Sequence, residues 1–259
     1  MVSATVGRYL PAIAVFVGGI GLWELVVRGF EIERFLLPPP TDIIATLIEQ
    51  WPRLSQAGIN TFIEAIGGFA IGLVAGIVVA VATARFAFAR GALMPFAIAA
   101  NAVPIVAFAP IMNNWFGVTS PVSKMMIVAV LVFFPVMINT VRGLLSAEPA
   151  ALEMMRSYAA SEVQTFRKVR VPAALPFFFT ALKVGATLSL IGAIVGEYFG
   201  GSNLVLGRVI VESASFLRFG EAWAAIVIVS AMGIGFYLVI LGIERLVMPW
   251  HASVRQGAT

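Results

Sequence analysis

The sequence predicts an all-α membrane protein with six spans and one long polar loop. Of 259 residues, 60% are hydrophobic and only 12% are charged, which lies far outside the composition of soluble proteins. Apolar runs of about 20 residues, enough for a helix to cross a bilayer, recur along the chain. One long charged stretch, residues 143–171, interrupts them. These three observations indicate a single transmembrane domain over residues 1–259.

The spans follow from the apolar runs in chain order. They cover residues 10–27, 61–84, 92–115, 120–141, 172–195 and 221–246. Pro104 and Pro110 are expected to break the third span, because proline lacks the backbone N–H that a helix interior needs. The first run is too long for the apolar part of a cleavable signal peptide, and no convincing cleavage site follows it.

Two short helices are predicted between the spans, in addition to those of the polar loop. The first follows the run Pro38-Pro39-Pro40, where Thr41 and Asp42 are expected to cap an amphipathic helix that extends to about Gln50. The second lies in a re-entrant or external segment over residues 196–220.

Small residues predict the packing faces of two spans. Gly68, Gly72 and Gly76 recur at four-residue spacing in the second span, so another helix can approach closely there. In the fifth span the corresponding face consists of Ala181, Gly185, Ser189, Gly192 and Gly196.

The basic residues predict the orientation of the chain. With six spans, both termini lie on the side of the polar loop. Ten basic residues fall on that side: Arg8, Arg85, Arg90, Arg142, Arg156, Arg167, Lys168, Arg170, Arg245 and Arg255. Five fall on the other: Arg28, Arg34, Arg53, Arg208 and Arg218. Because Lys and Arg are enriched in cytoplasmic loops, the loop and both termini are expected to be cytoplasmic.

The polar loop has the periodicity of two short amphipathic helices. Its apolar stripes are Leu152, Met155 and Ala159, then Val163, Phe166 and Val169. We expect the helices to lie outside the bilayer and to join near residues 158–161. Pro172 is expected to mark the first turn of the next helix, where a missing N–H costs little.

This loop resembles the EAA motif of the permease subunits of binding-protein-dependent ABC importers. That motif reads Glu-Ala-Ala, three residues, Gly, nine residues, Ile, one residue, Leu-Pro. The same frame holds Glu153, Met154, Met155, Ala159, Val169, Val171 and Pro172. Ala159 is the notable departure, because a turn between helices often needs a positive φ that glycine adopts readily. Either the turn has a different shape, or Ala160 and Ser161 absorb the bend.

The resemblance extends from about Leu36 to Trp250 and is closest to the nitrate, sulfonate, taurine and vitamin-precursor branch. Its supporting matches are Leu37-Pro38-Pro39-Pro40, Trp115-Phe116-Gly117, Phe133-Phe134-Pro135, Asn139-Thr140, Ala173-Ala174-Leu175-Pro176 and Glu197. It implies the six-span type I importer fold, with the loop as a cytoplasmic coupling helix in a bacterial inner membrane. It also implies a homodimer, an ABC ATPase dimer, an external solute-binding protein and a small-molecule substrate.

The resemblance assigns the contact with the ATPase to the loop. The residues expected there are Glu153, Arg156, Ala159, Ala160, Ser161, Phe166 and Pro172. Glu153 falls within the motif frame, although an ordinary charge at a helix end is the alternative.

The sequence favours neither an enzyme nor a nucleic-acid-binding protein. No GxxxxGK[ST] loop is present, so ATP and Mg are expected in a separate ATPase subunit and no cofactor in this chain. His251 is the only histidine, and it lies in the tail, so no metal site is expected in the spans. The net charge of +4 does not indicate nucleic-acid binding, because excess Lys and Arg in a membrane protein mostly set its orientation.

Lys183 is the most informative residue within a span. It lies 11 residues past Pro172, about 16 Å along a helix, so we expect it near the bilayer centre, where a charge usually has a function. Thr180 and Thr187 share its face, opposite the packing face. Lys183 lines a translocation pathway or pairs with a carbonyl or an acid on another span, and the two roles can coexist.

Other polar residues also suggest a pathway. Asn101, Asn113, Asn114 and Asn139 lie near helix-breaking prolines, where they face a cavity or bond between helices. Glu197, near the outer end of the fifth span, serves a gate or a contact with the binding protein, or is a simple interfacial carboxylate.

Two other function classes remain as alternatives. An ion-coupled secondary transporter would need carboxylates inside the spans, whereas Glu24, Glu64, Glu197 and Glu221 lie toward the outer ends. A scaffold role would not explain the broken spans or a lysine inside a span. Two classes of substrate remain open: nitrate, sulfonates or taurine, and neutral heterocycles such as riboflavin or a pyrimidine. Residues 113–117 and 195–201 resemble the permeases for heterocycles more closely, so the resemblance favours that class.

Overall fold

The computed structural model describes residues 2–249, with side chains from residue 10 onward. His251, Trp250 and Arg255 lie outside the described residues, as does the side chain of Arg8. Eleven α-helices follow one another over this part of the chain: α1 (Val2–Gly29), α2 (Pro40–Glu49), α3 (Trp51–Arg85), α4 (Ala87–Ala100), α5 (Phe108–Phe116), α6 (Pro121–Leu145), α7 (Pro149–Ser157), α8 (Glu162–Thr165), α9 (Val171–Tyr198), α10 (Leu206–Ser215) and α11 (Phe219–Val247).

Five helical segments are long and apolar enough to cross a membrane: α1 from Leu10, α3, α6, the α8–α9 segment and α11. The third predicted span is a bent pair. Residues 87–100 and 105–116 meet at 84°, and with this pair the count reaches the expected six. The break lies at Pro104, which precedes a short 3₁₀ turn (Ile105–Ala107). The break expected at Pro110 is wrong, because Pro110 lies in the first turn of α5, where its missing N–H has no helical partner.

The core is built from α3, α6 and α9, and glycines on both outer helices contact α6. A Cβ added to Gly68 would lie 2.4 Å from the Met125 carbonyl oxygen, and one added to Gly72 would lie 2.5 Å from that of Ala129. From the opposite side, a Cβ on Gly192 would meet the Leu131 side chain at 2.8 Å. Both predicted packing faces are therefore confirmed, and α6 is their shared partner.

The start of α2 differs from the expectation. Pro39 is the N-cap and no side chain of α2 caps its own helix. Instead, the Thr41 backbone N–H donates to Glu24 Oε2 of α1 at 3.1 Å, and Thr41 Oγ1 donates to Glu24 Oε1 at 2.9 Å. A carboxylate is a favourable partner for a helix N-terminus, so Glu24 ties α1 to α2. Elsewhere α1 is mostly exposed.

Candidate functional site

The polar loop forms a helix, a tight turn and a second helix. α7 ends at Ser157 and α8 begins at Glu162, so the turn lies at the predicted residues 158–161. Ala159 has φ 51°. Its N–H donates to the Arg156 carbonyl at 2.9 Å, and the Ala160 N–H donates to the Met155 carbonyl at 3.0 Å. This is a Schellman motif, which places Ala159 at the position that glycine normally occupies.

The other side of the turn is fixed by a capping box on α8. The Gln164 backbone N–H donates to Ser161 Oγ at 3.2 Å, and the Ser161 N–H donates to Gln164 Oε1 at 2.8 Å. Two N–H groups that a helix start leaves free are thereby satisfied. The turn is thus held on both sides by local hydrogen bonds.

The expected break before the fifth span is absent. A π turn (Phe166–Arg170) carries α8 directly into α9, and the Val171 N–H donates to the Phe166 carbonyl. Val171 keeps φ −64° and ψ −49°, although proline at the next position disfavours this region. Residues 162–198 therefore form one continuous helical segment of 37 residues. Pro172 lies in the first turn of α9, as predicted, but no separate helix begins there.

The tip of the loop exposes large apolar side chains. Met154, Tyr158 and Val163 are 52%, 76% and 65% exposed. Glu153 and Arg156 are exposed beside them, whereas Leu152, Met155 and Phe166 face the molecule and are half-buried. Exposed apolar side chains bordered by charges are typical of a surface that contacts a partner.

Lys183 is paired with an acid on another span. Its Nζ donates to Glu244 Oε1 at 3.0 Å and to Oε2 at 2.8 Å, joining α9 to α11. Of the two predicted alternatives, the pair is present. The inference that the carboxylates lie only toward the outer ends of the spans is wrong, because Glu244 falls inside the sixth predicted span. Glu244 also lies close to the end of α11 at Val247. Because Lys183 contacts Glu244, Lys183 is nearer the loop end of the bundle than expected.

The neighbouring threonines are exposed on the opposite side of α9 from the packing face. Thr180 Oγ1 donates to the Pro176 carbonyl at 2.8 Å, and Thr187 Oγ1 donates to the Lys183 carbonyl at 3.3 Å. Gly185 and Ser189 are buried. The exposed threonines are thus available to water or to a second chain.

A second group of charges is buried at the end of the bundle away from the loop. Lys124 is fully buried, and its Nζ donates to Asn113 Oδ1 at 3.2 Å and to the Val118 carbonyl. Glu197 is also fully buried and accepts the Gly207 N–H of α10 at 2.6 Å. Glu197 is therefore not an interfacial carboxylate but a cap of α10. Sequence reasoning gave Lys124 no role, although a lysine inside a span is a signal of a buried partner.

The four asparagines fall into two groups. Asn113 is buried against Lys124, and Asn139 Nδ2 donates to the Pro135 carbonyl of its own helix at 2.8 Å. Asn101, at the end of α4, and Asn114, in the last turn of α5, are exposed. The structure brings Asn113 into contact with the buried charges but does not bring all four together.

Comparison with known families decides the identity. A family model described as "Binding-protein-dependent transport system inner membrane component" matches residues 72–251, which is more than half of the chain. The chain belongs to this family. It is a multi-pass inner membrane permease subunit of an ATP-driven ABC importer, and the alternatives of an ion-coupled transporter and a scaffold are set aside.

Several relatives of this permease resemble it over most of its length. The formylaminopyrimidine transport permease ThiX of Halalkalibacterium halodurans is 32% identical and covers 89% of this chain and 91% of its own. The riboflavin transport system permease RibX of Chloroflexus aurantiacus is 30% identical, with 89% and 86% covered. The putative aliphatic sulfonates permease SsuC of Bacillus subtilis is 27% identical, with 95% and 88% covered.

The fold of this permease also matches a solved transporter. A crystal structure described as an amino acid ABC transporter with histidines has a TM-score of 0.63 and 15% sequence identity, covering 78% of this chain and 97% of that one. At this identity the likeness shows the fold alone, and the fold is the all-helical permease fold that the sequence predicts.

Proposed function

We propose that residues 143–171 are the surface through which this permease docks on its ATPase. The supporting observation is the rigid helix-turn-helix whose tip exposes Met154, Tyr158 and Val163 beside Glu153. Glu153, Arg156, Ala159, Ala160, Ser161, Phe166 and Pro172 are the proposed coupling residues. ATP and Mg²⁺ would be held by the ATPase, since the chain carries no P-loop.

The assembly contains two copies of this permease, two ATPases and an external binding protein. The exposed face of α9, with Thr180, Val184, Thr187 and Ile191, supports a second copy that would shield it. This face, with Lys183 at its border, is the proposed wall of the translocation pathway. The exposed Asn101 and Asn114 are its other proposed polar residues, whereas Asn113, Asn139 and Glu197 bond inside the bundle. Both termini and the loop are cytoplasmic in this arrangement, in line with the ten basic residues on the loop side.

The proposed substrate is a small nitrogen heterocycle of the pyrimidine or riboflavin type. The support is the name of two relatives that are 30% or more identical, ThiX and RibX. An aliphatic sulfonate, taurine or nitrate is the second candidate, because SsuC, TauC and NrtB permeases are also similar, at lower identity. Binding of pyrimidine, riboflavin and taurine to the isolated external binding protein, measured by calorimetry, distinguishes these substrates.

Co-purification with the ATPase tests the docking surface. Glu153→Lys reverses a charge at the proposed contact and should weaken the complex, since truncating or reversing a contact charge typically changes affinity by about tenfold or more. Glu33→Lys is the matched control, because Glu33 is also exposed but lies at the other end of the bundle. Equal recovery of the ATPase with both variants would contradict the assignment.

A further inference from the structure

A cavity of about 450 Å³ lies between the polar loop and the adjacent ends of α3 and α6. Its size is that of a site for a small ligand. Its walls include Arg85, Leu144, Leu152, Arg156, Phe166 and Arg170. These residues come from four separate elements, so the sequence gives no sign that they meet.

Positive charge dominates the lining. Arg85, Arg156 and Arg170 face one acid, Glu162. Glu162 Oε2 lies 2.8 Å from Arg85 Nη2, but both side chains are largely exposed, at 80% and 63%, so this pair contributes little.

The other two guanidinium groups retain free donors. Arg170 Nη1 donates to the Leu144 carbonyl at 3.3 Å, which uses one of its five N–H groups. No ion pair or side-chain hydrogen bond of Arg156 is found among the described residues. Guanidinium groups with free N–H donors are favourable partners for the oxygens of a phosphate.

An exposed apolar strip leads away from the cavity. Val81 lines the cavity and is 40% exposed, and it continues a stripe along α3 with Ile71, Val74 and Val78, which are 42%, 62% and 63% exposed. Their spacing of three and four residues keeps them on one face of a helix long enough to span the membrane. The cationic cavity is complementary to an anionic lipid headgroup, and the apolar strip along the span is complementary to an acyl chain.

We propose that the cavity binds the headgroup of an acidic glycerophospholipid. The phosphate lies between Arg85, Arg156 and Arg170, and an acyl chain lies on the strip that Val74, Val78 and Val81 form. A soluble anion would satisfy the arginines but leave the strip unused, whereas a zwitterionic lipid would bring a cation next to them. The site lies against the proposed coupling loop and shares Arg156 with it, so lipid binding is measured on the permease without its ATPase.

Native mass spectrometry of the full permease in detergent tests the site. Phosphatidylglycerol should be retained in preference to phosphatidylcholine. Arg156→Gln should weaken phosphatidylglycerol binding roughly fivefold, the effect of about one cation near an acidic lipid. Arg167→Gln is the matched control, because Arg167 is exposed on the same loop but does not line the cavity. Glu162→Gln removes the competing acid and should strengthen binding, which a purely structural role for these residues would not produce.

Two further measurements separate a lipid from a free anion. Val78→Ser should weaken phosphatidylglycerol binding. Inorganic phosphate and glycerol 3-phosphate, each added at the concentration used for the lipid, should not displace the lipid. Displacement by either soluble anion would mean that the site takes free phosphate and would overturn the lipid assignment. Equal retention of the two lipids, or equal binding by the Arg156→Gln and Arg167→Gln variants, would overturn the site itself.

Discussion

Lys183 of α9 and Glu244 of α11 form a buried ion pair in which one ammonium contacts both carboxylate oxygens, at 3.0 and 2.8 Å. Only 21% and 6% of the two side chains are exposed. In apolar surroundings each charge is tolerated because the other is present. The pair therefore fixes where the end of α11 lies against α9, next to the proposed pathway face.

Breaking this pair should destabilise the permease more than removing it entirely. Lys183→Met leaves an uncompensated buried carboxylate and should lower the free energy of unfolding by about 3–5 kcal/mol. Combining it with Glu244→Leu should recover most of that loss. Thermal melts of the four proteins of this double-mutant cycle measure the coupling. Additive losses in the double variant would mean that the pair contributes no coupling.

The pathway proposal makes a separate prediction for the exposed face of α9. Thr187→Cys should react with a small water-soluble thiol reagent in at least one nucleotide state of the assembled transporter. Ser189→Cys, on the fully buried packing face, should stay unreactive. Labelling can be followed by mass shift. If the Thr187→Cys variant is unreactive in every state, that face contacts lipid or protein and the pathway lies elsewhere.

Ala159→Gly should stabilise the loop. Alanine at φ 51° carries a left-handed penalty of about 1–2 kcal/mol that glycine avoids, partly offset by the greater freedom of glycine in the unfolded chain. A net gain of up to about 1 kcal/mol is expected. Ala151→Gly, inside α7, should instead cost about 1 kcal/mol. Melting temperatures of the purified complex give the sign, and a lower value for Ala159→Gly would contradict the turn geometry.

Gly72→Ala should destabilise the core. The added Cβ would lie 2.5 Å from the Ala129 carbonyl oxygen and 3.1 Å from its Cα. Because these are backbone atoms, α3 and α6 would have to separate, at a cost of about 1–3 kcal/mol. Gly91→Ala in α4 is the control, since nothing lies within 4 Å of its Cβ position. It should be neutral or stabilising, and equal melting temperatures for both variants would contradict the close approach.

Features that depend on neighbouring residues in the chain could be predicted from the sequence. The glycine stripe of α3, the turn at residues 158–161 and the break at Pro104 are of this kind, because spacing and backbone chemistry determine them locally. Partners distant in sequence could not be predicted. Glu244 lies 61 residues from Lys183, and Glu24 caps a helix 17 residues away. Nothing in the local pattern identifies either contact.

The continuity of residues 162–198 was also beyond local prediction. Pro172 argues for a break, whereas in the structure a π turn at residues 166–170 joins the two helices. The motif frame predicted where the loop bends, but it did not predict that its second half is a part of the fifth span.

This continuity makes the second half of the loop and the fifth span a single lever of unbroken helix. Its 37 residues span about 55 Å at 1.5 Å per residue. A tilt of about 5° at the loop would displace the opposite end by roughly 5 Å over this length. That end carries Glu197, which caps α10 through the Gly207 N–H. If the loop docks on the ATPase as proposed, we therefore expect a movement of the loop to displace a helix at the opposite end of the fifth span.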